Sequence, residues 1–243
     1  MRVKAIHTPI FREGDDLMRF VTRHVKRVPE KSVLVITSKI VALAERRTSP
    51  FTGERAKERL IRQESQWAVK TRWTWLTIKD NAVMSAAGID ESNADGKLVL
   101  LPKDSFVAAR DIRRKLKKRY RVKYLGVLIT DSRLLPLRAG IVGIALGYAG
   151  IRGIRDYRGT PDIFGRPLKM SRVDIADSLA TAAVIEMGEG AEQRPLALIT
   201  DAYIDFSDRT DRQELLMDFR DDVYLPLFEN VKQVKLKRIK GTW

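Results

Sequence analysis

Three acids stand where a carboxylate can do chemistry: Asp90, Asp131 and Glu189. Asp90 lies in the hexapeptide Gly88-Ile89-Asp90-Glu91-Ser92-Asn93, directly after the apolar run from Ala82 to Ala87. Asp131-Ser132 closes the apolar stretch from Tyr124 to Thr130, and Glu189 follows the end of a helical pattern at Gly188. Carboxylates with a serine hydroxyl make an oxygen shell suited to hard divalent cations, which bridge nucleotide phosphates and neutralise charge in phosphoryl transfer. An Asn amide such as that of Asn93 reads a base, ribose or phosphate edge. An acid just past a helix C-terminus faces the negative end of the helix dipole, a penalty that a bound cation removes and that exposure to water merely reduces. Read alone, the hexapeptide is a surface turn rich in Asp, Ser and Asn. Ser38-Lys39, after a buried strand, could offer a hydroxyl and a cation to a phosphate, although a surface lysine at a strand end is the commoner arrangement. No Walker A sequence is present, and no G-x-G-x-x-G follows a strand.

Composition narrows the chemistry. The chain has 243 residues, of which 44% are hydrophobic, enough for one large domain or two small ones with a real core. With no cysteine, disulfides, thiolate zinc sites and a cysteine nucleophile are excluded. His7 and His24 are the only histidines, so a metal must be held mainly by oxygen, pointing to magnesium, manganese or calcium. The N-terminus reads as a strand with no signal-peptide region, and Ala139 to Ile151 is too short to span a bilayer, so a soluble cytoplasmic protein is expected. The formal charge is +15, and nine of the fourteen residues from Arg110 to Lys123 are Lys or Arg, with a second basic cluster from Lys232 to Lys240. That helix is either a solvated face on an ordinary enzyme or a contact for a polyanion, ribosome or nucleic acid.

The elements that must position these groups alternate between helical and strand patterns. Asp15-Asp16 starts a helix with Leu17, Val21, His24 and Val28 at helical spacing, stopped by Pro29. Ser32 to Thr37 is a buried strand; Arg55 to Lys70 reads as a helix with Leu60, Ile61 and Ala68 inward. Strands are expected at Thr74–Ile78, Val83–Ala87 and Lys97–Leu101. Asp104-Ser105 caps the basic helix, which buries Ala109, Ile112, Leu116 and Tyr120. A strand from Tyr124 to Thr130, a glycine-spaced strand from Ile141 to Gly147 and an ordered loop from Asp156 to Pro167 follow. Ser171 with Asp174 forms a capping-box-like start for a helix that buries Val173, Ala176, Leu179, Ala180, Ala183, Val184 and Met187. Leu196 to Thr200 is a strand, and a helical region leads to the basic tail. Trp67, Trp73 and Trp75 are read as strand core rather than as base-stacking platforms, and His24 as packed rather than catalytic. The sum is a mixed α/β (α+β) arrangement.

Taken in order, Thr37-Ser38-Lys39, Gly88 to Asn93, Leu100-Leu101-Pro102, Ile129 to Ser132, Val142 to Gly147, Asp156 to Gly159, Asp162 to Arg166 and Met187-Gly188-Glu189-Gly190 resemble the coenzyme F-420 gamma-glutamyl ligase family. The similarity runs from about residue 6 to 200. The resemblance implies a ligase-like core over 1–200, of two intertwined subdomains, and a homodimer; the residues beyond it read as a helical and basic extension over 201–243 packed on that core. It implies a ligase that adds L-glutamate to a carboxylate acceptor through an acyl phosphate, with GTP as co-substrate, two manganese or magnesium ions, and potassium. Asp90, Asp131 and Glu189 would then be catalytic metal ligands, together with Ser132 where the family usually has Thr. Thr8, Pro9, Ile10, Phe11, Ser38, Lys39, Asn93, Met187, Gly188 and Gly190 would contact the nucleotide.

The chain departs from that family at instructive places. Leu43 replaces a Lys at the nucleotide, Arg46 a Gly, Leu134-Leu135 a Gly-Arg pair, and Thr200-Asp201 an Arg-Gly. A lost phosphate-directed cation weakens nucleotide binding unless Lys39, Arg46 or Arg133 substitutes. The acceptor is therefore open: the deazaflavin precursor, another small molecule, or a protein or peptide end. The alternative is a ligase scaffold turned into a basic nucleic-acid- or ribosome-binding module.

Overall fold

The structure, a computed structural model, describes residues 1–218 and 220–226. The chain divides into two compact units, the first formed by Met1–Arg46 and Pro102–Glu214, the second by Arg47–Leu101 and the described residues from Leu215. The first unit opens with β1 (Arg2–Ile6), α1 (Leu17–His24), β2 (Ser32–Thr37) and α2 (Ser38–Ala44). The second unit follows as β3 (Thr48–Pro50), α3 (Glu54–Glu64), β4 (Trp67–Lys70), β5 (Trp75–Lys79), β6 (Ala82–Ser85), a 3-10 turn (Ala86–Gly88) and β7 (Lys97–Val99). The first unit then resumes with α4 (Ser105–Tyr120), β8 (Leu125–Leu134), β9 (Ile141–Ala149), β10 (Ile154–Asp156), β11 (Arg172–Asp174), α5 (Ile175–Met187) and β12 (Leu196–Thr200). The fold is a mixed α/β one. No helix among the described residues is long and apolar enough to cross a membrane.

The first unit is built on a five-stranded sheet in the order β1-β12-β2-β8-β9, with β2 and β8 parallel and the other neighbours antiparallel. Val33, Leu34, Val35 and Ile36 are fully buried, as a central strand covered on both faces requires. Asp104 caps α4 by accepting from Val107 N at 2.9 Å, and α4 buries Ala109, Ile112 and Leu116 as its helical spacing predicts. The Tyr120 hydroxyl donates to the Val25 carbonyl.

The β8–β9 ladder slips between Ile129 and Thr130: Ile129 pairs with Gly147 and Thr130 with Ala145, leaving Leu146 unmatched. Such a bulge reverses the side-chain alternation beyond it. A Cβ on Gly147 would lie 2.5 Å from Phe106 N in α4, and one on Gly143 would lie 2.5 Å from Ala180 O in α5. The two helices thus press on opposite faces of β9, each against a glycine that permits close approach.

In the second unit β4-β5-β6 form one small sheet and β3-β7 another. Ile61, Trp75, Ala86, Ala87, Ile89, Leu98 and Leu100 make its core, with Leu60 and Ala68 packed against them.

Four expectations are corrected. The helix read over Arg55–Lys70 ends at Glu64: Ser65 is extended, and Trp67–Lys70, aromatic and β-branched in part, pairs with β5. Ala68 still faces the core, but from a strand. Ser171 does not start α5. Residues Arg172–Asp174 pair with Ile154–Asp156, so the cap falls on Asp174, which accepts from Asp177 N at 2.9 Å, and Val173 is exposed. The strand ending at Asp131 continues to Leu134, because β9 supplies a partner as far as Ile141. Past β12, residues 201–218 form turns and bends rather than a helix, tied to the sheet by an Ile151–Phe206 bridge and by Glu214, which accepts from the Tyr148 hydroxyl and from Gly153 N. The basic cluster Lys232 to Lys240 lies outside the described residues.

Of the tryptophans, Trp75 is core under the Arg62 guanidinium, whereas Trp73 is exposed. His24 packs on Phe20 and pairs through Nδ1 with the Phe20 carbonyl.

Candidate active site

One end of the first unit's sheet gathers most of the candidate residues. Register fixes this: Ile6 pairs with Leu196, Leu196 with Ile36, and Thr37 with Thr130. The chain therefore leaves β1 toward Thr8, enters β12 from Gln193, and leaves β2 toward Ser38, all level with Asp131 and Ser132 on β8. Carboxyl ends of parallel strands, here β2 and β8, are the usual ligand side of α/β sheets. Backbone bonds hold the loops together: Thr8 N donates to Gln193 O at 2.9 Å and Thr37 N to Pro195 O at 3.0 Å.

The individual side chains differ in accessibility. Thr8 and Phe11 are buried, Phe11 edge-on to Phe20 at 4.9 Å, while Pro9 and Ile10 between them are exposed. Ser38 is buried at the head of α2 and Lys39 beside it is half-buried. Met187 is buried in the last turn of α5, which Gly188 ends with a φ of +78°. The Gly190 amide donates to the Glu192 carboxylate at 2.8 Å.

Ser132 and Glu189 meet: the Ser132 hydroxyl donates to Glu189 Oε1 at 2.5 Å, although 57 residues separate them. Neighbours on a strand leave it on opposite faces, so Asp131 departs from β8 on the other side from Ser132. Arg133, one residue further on, is held among carboxylates. Its guanidinium faces Asp177 and Asp131, its Nε is buried without a hydrogen-bond partner among the described residues, and burial lowers its pKa.

Sequence reasoning missed Asp177, and read Asp174 only as part of a helix start. The bulge leaves the Ala145 amide outside the ladder, and Asp177 Oδ1 accepts from it at 2.8 Å. Burial first, and the neighbouring Asp177 second, push the Asp174 carboxyl up to about 7; burial also raises Asp177. The two acids are separated by one helical turn, which was visible in the sequence; the bulge that gives Asp177 its task was not.

Asp90 and Asn93 lie in the second unit. Asp90 bridges to Val99, while its carboxylate accepts from both the amide and the hydroxyl of Ser92 at 2.8 Å. Gly88 has a φ of +70°, and a Cβ there would lie 2.6 Å from Leu101 Cγ, so the turn before Asp90 needs glycine twice over. Asn93 also has a positive φ of 47°.

These donors are oxygens only, and the Ser132–Glu189 hydroxyl–carboxylate pair is of the type a hard divalent cation takes, while Asp131 stands on the other face of β8. Arg133 beside Asp131 opposes a cation, and Asp177 offsets that by sharing the guanidinium. Among the described residues no three acidic or histidine side chains are gathered into a ready-made cage. The departures also have places: Leu43 is a buried residue of α2, Arg46 lies across Gly14, and Leu134 and Leu135 are exposed.

The model of the F420-0:Gamma-glutamyl ligase family matches residues 5–201. The coenzyme F420:L-glutamate ligase of Methanopyrus kandleri is 35% identical over 206 residues, covering 77% of this chain and 81% of that protein. The enzyme of the same name from Archaeoglobus fulgidus is 33% identical over 210 residues, covering 79% and 83%. That from Methanococcus maripaludis strain C7 is 38% identical over 146 residues, covering 60% of this chain and 58% of the relative. Over the greater part of its length, then, this chain belongs to the F420-0:Gamma-glutamyl ligase family.

Proposed function

We propose that the chain is an amide-forming enzyme that joins L-glutamate to the carboxylate of an F420-type acceptor, with GTP as the phosphoryl donor. The observation that supports it is the convergence of Thr8–Phe11, Ser38-Lys39, Asp131-Ser132 and Met187–Gly190 at one end of one sheet, in a chain that matches glutamate ligases over 5–201. In the proposed reaction an acceptor carboxylate oxygen attacks the γ-phosphorus. A new O–P bond forms as the β–γ bridging bond breaks and GDP leaves. The glutamate nitrogen, having lost a proton, then attacks the acyl carbon; the C–N bond forms, the C–O bond breaks and inorganic phosphate departs.

Asp90, Asp131, Ser132 and Glu189 are the residues proposed to hold manganese or magnesium, two ions in all, with potassium as an additional ion. Divalent ions supply charge neutralisation at the phosphates. The protein's own part is orientation. Glu189 is aimed by the Ser132 hydroxyl and by the Gly188 cap, Asp131 is fixed by the β8–β9 ladder, and Ser38 and Lys39 present a hydroxyl and a cation at the head of α2. Asn93 is proposed to touch the nucleotide. The exposed Leu134 and Leu135 support an acceptor that has diverged, either another small molecule or a peptide end. A homodimer is proposed from the family resemblance, and a polyanion contact at 110–123 as a property separate from catalysis.

Thermal melting tests the nucleotide and metal assignment. GTP with manganese should raise the melting temperature, and EDTA should abolish the rise; at a hundredfold excess over Kd the gain is about 2.7 kcal/mol. No metal-dependent shift at millimolar ligand would refute it.

A further inference from the structure

The first unit carries a basic surface remote from the candidate active site. On α4 the apolar residues Ala109, Ile112 and Leu116 are buried, and the opposite side presents Arg110, Arg114, Lys115, Lys118 and Arg119, all exposed, with Arg121 just beyond. Arg110, Arg114 and Lys118 follow one another at i, i+4 spacing, about 6 Å apart along the axis. Asp111, paired with Arg114 at 3.2 Å, is the sole acid between Arg110 and Lys123.

Arg113 and Lys117 reach sideways to Asp208 at 2.5 and 3.4 Å, which joins this stripe to the loop after β12. Next to Asp208, Arg209 and Arg152 line an open cleft of about 420 Å³ with Ser207, Thr210, Asp211 and Glu214. At the C-terminal end of α4, Tyr124 is partly exposed with the Lys123 ammonium over its ring, and Phe206 lies 6.2 Å away at a tilted angle. One cation and one exposed ring therefore sit together at the end of the basic stripe, with a second, half-buried ring beside them.

We propose that this surface binds a single-stranded RNA, its phosphates along the α4 stripe and a base on Tyr124. Two features distinguish that ligand from an anionic membrane or a rigid duplex, and a third sets its salt dependence. A membrane-surface helix inserts an apolar face, whereas the apolar face of α4 is spent against β8 and β9. Stacking needs unpaired bases, and Tyr124 offers a ring with a cation beside it. Spaced cations neutralise successive phosphates, so affinity follows counterion release. Because Arg113 Nε bonds Leu125 O at the start of β8, the surface lies seven residues of strand from Ser132, roughly 23 Å. Catalysis and RNA contact are thus separable.

Fluorescence anisotropy of a labelled 20-nucleotide oligo(U) RNA, titrated with the full chain across a salt series, is the test. About five neutralised phosphates predict a log–log salt slope near −3.5. The double charge reversal Arg114→Glu with Lys118→Glu should weaken binding about tenfold or more and flatten the slope by about 1.4, with melting temperature and glutamate addition unchanged. Tyr124→Ala should weaken oligo(U) about fivefold or more and leave a blunt duplex RNA of the same length unaffected. Wild-type affinity in the charge-reversed variant overturns the proposal. Binding to vesicles containing phosphatidylserine but not to oligo(U), or equal loss on duplex and single strand from Tyr124→Ala, overturns it as well.

Discussion

Gly143→Ala tests whether the seat of α5 sets the geometry of the Ser132–Glu189 pair. The new Cβ would sit 2.5 Å from Ala180 O and 2.6 Å from Val184 Cγ2, both on α5. An unstrained contact needs about 3.5 Å, so the helix must recoil by roughly 1 Å. Thr181 Oγ1 now donates to Gly143 O at 2.7 Å; the same recoil stretches it beyond hydrogen-bonding range. Losing that bond costs about 1 kcal/mol and the overpacking a further 1–3, a total of about 2–4 kcal/mol. For a chain of this size the melting temperature should fall by about 4–16 °C. Glu189, which follows the end of the same helix, moves with it, so the nucleotide- and metal-dependent rise in melting temperature should shrink beyond the loss of basal stability. Calorimetry with and without GTP and manganese measures both. A variant that melts within 1 °C of wild type and keeps the full ligand shift would refute the tight seating of α5 on β9.

Two further predictions concern the two units separately. Asp174 has its folded-state pKa raised to about 7 by burial and by Asp177, so the folded chain binds more protons than the unfolded one from about pH 4 to 7, and stability falls as pH rises through that window. Asp174→Asn keeps the cap to Asp177 N and should add about 1–2 kcal/mol at pH 7.5, discounted for the part of the carboxyl open to water, and almost nothing at pH 4.5; melts at both values measure it, and a variant less stable at both would contradict the assignment. In the second unit, Trp75→Ala empties the centre of the core beside Ile61, Leu98 and Leu100, and denaturant melts should show a loss of about 3–5 kcal/mol; a loss below 1 would mean that the core lies elsewhere.

What the residues reveal before folding depends on how local the determining contact is. The strands Ser32–Thr37 and Leu196–Thr200, and the cap at Asp104, were legible because apolar runs and an N-cap acid act within a few residues. The end of α5 at Gly188 was legible too, since a glycine with positive φ is a local stop. Its start was not. Ser171 and Asp174 are both acceptable caps, and only the pairing of Arg172–Asp174 with β10, across a long loop, decides between them. Trp67–Lys70 failed for the same reason, its partner β5 being required to make it a strand. At the candidate site, Asp131, Ser132 and Glu189 could be picked out by residue type and by family pattern. The Ser132–Glu189 bond and the hold of Asp177 on the Ala145 amide depend on a bulge and on contacts 57 and 32 residues apart, which spacing alone does not encode.

Mass spectrometry of reaction products bears most directly on the claim of a metal-dependent glutamate ligase. The full chain is incubated with an F420-type acceptor or a candidate peptide, L-glutamate, GTP and manganese, alongside Asp131→Asn. The account predicts an acceptor heavier by whole glutamate residues with stoichiometric GDP and phosphate, abolished by EDTA and by Asp131→Asn while the variant's circular dichroism and basal melting temperature stay at wild-type values. Full glutamate addition by Asp131→Asn, or addition that persists in EDTA, would contradict it.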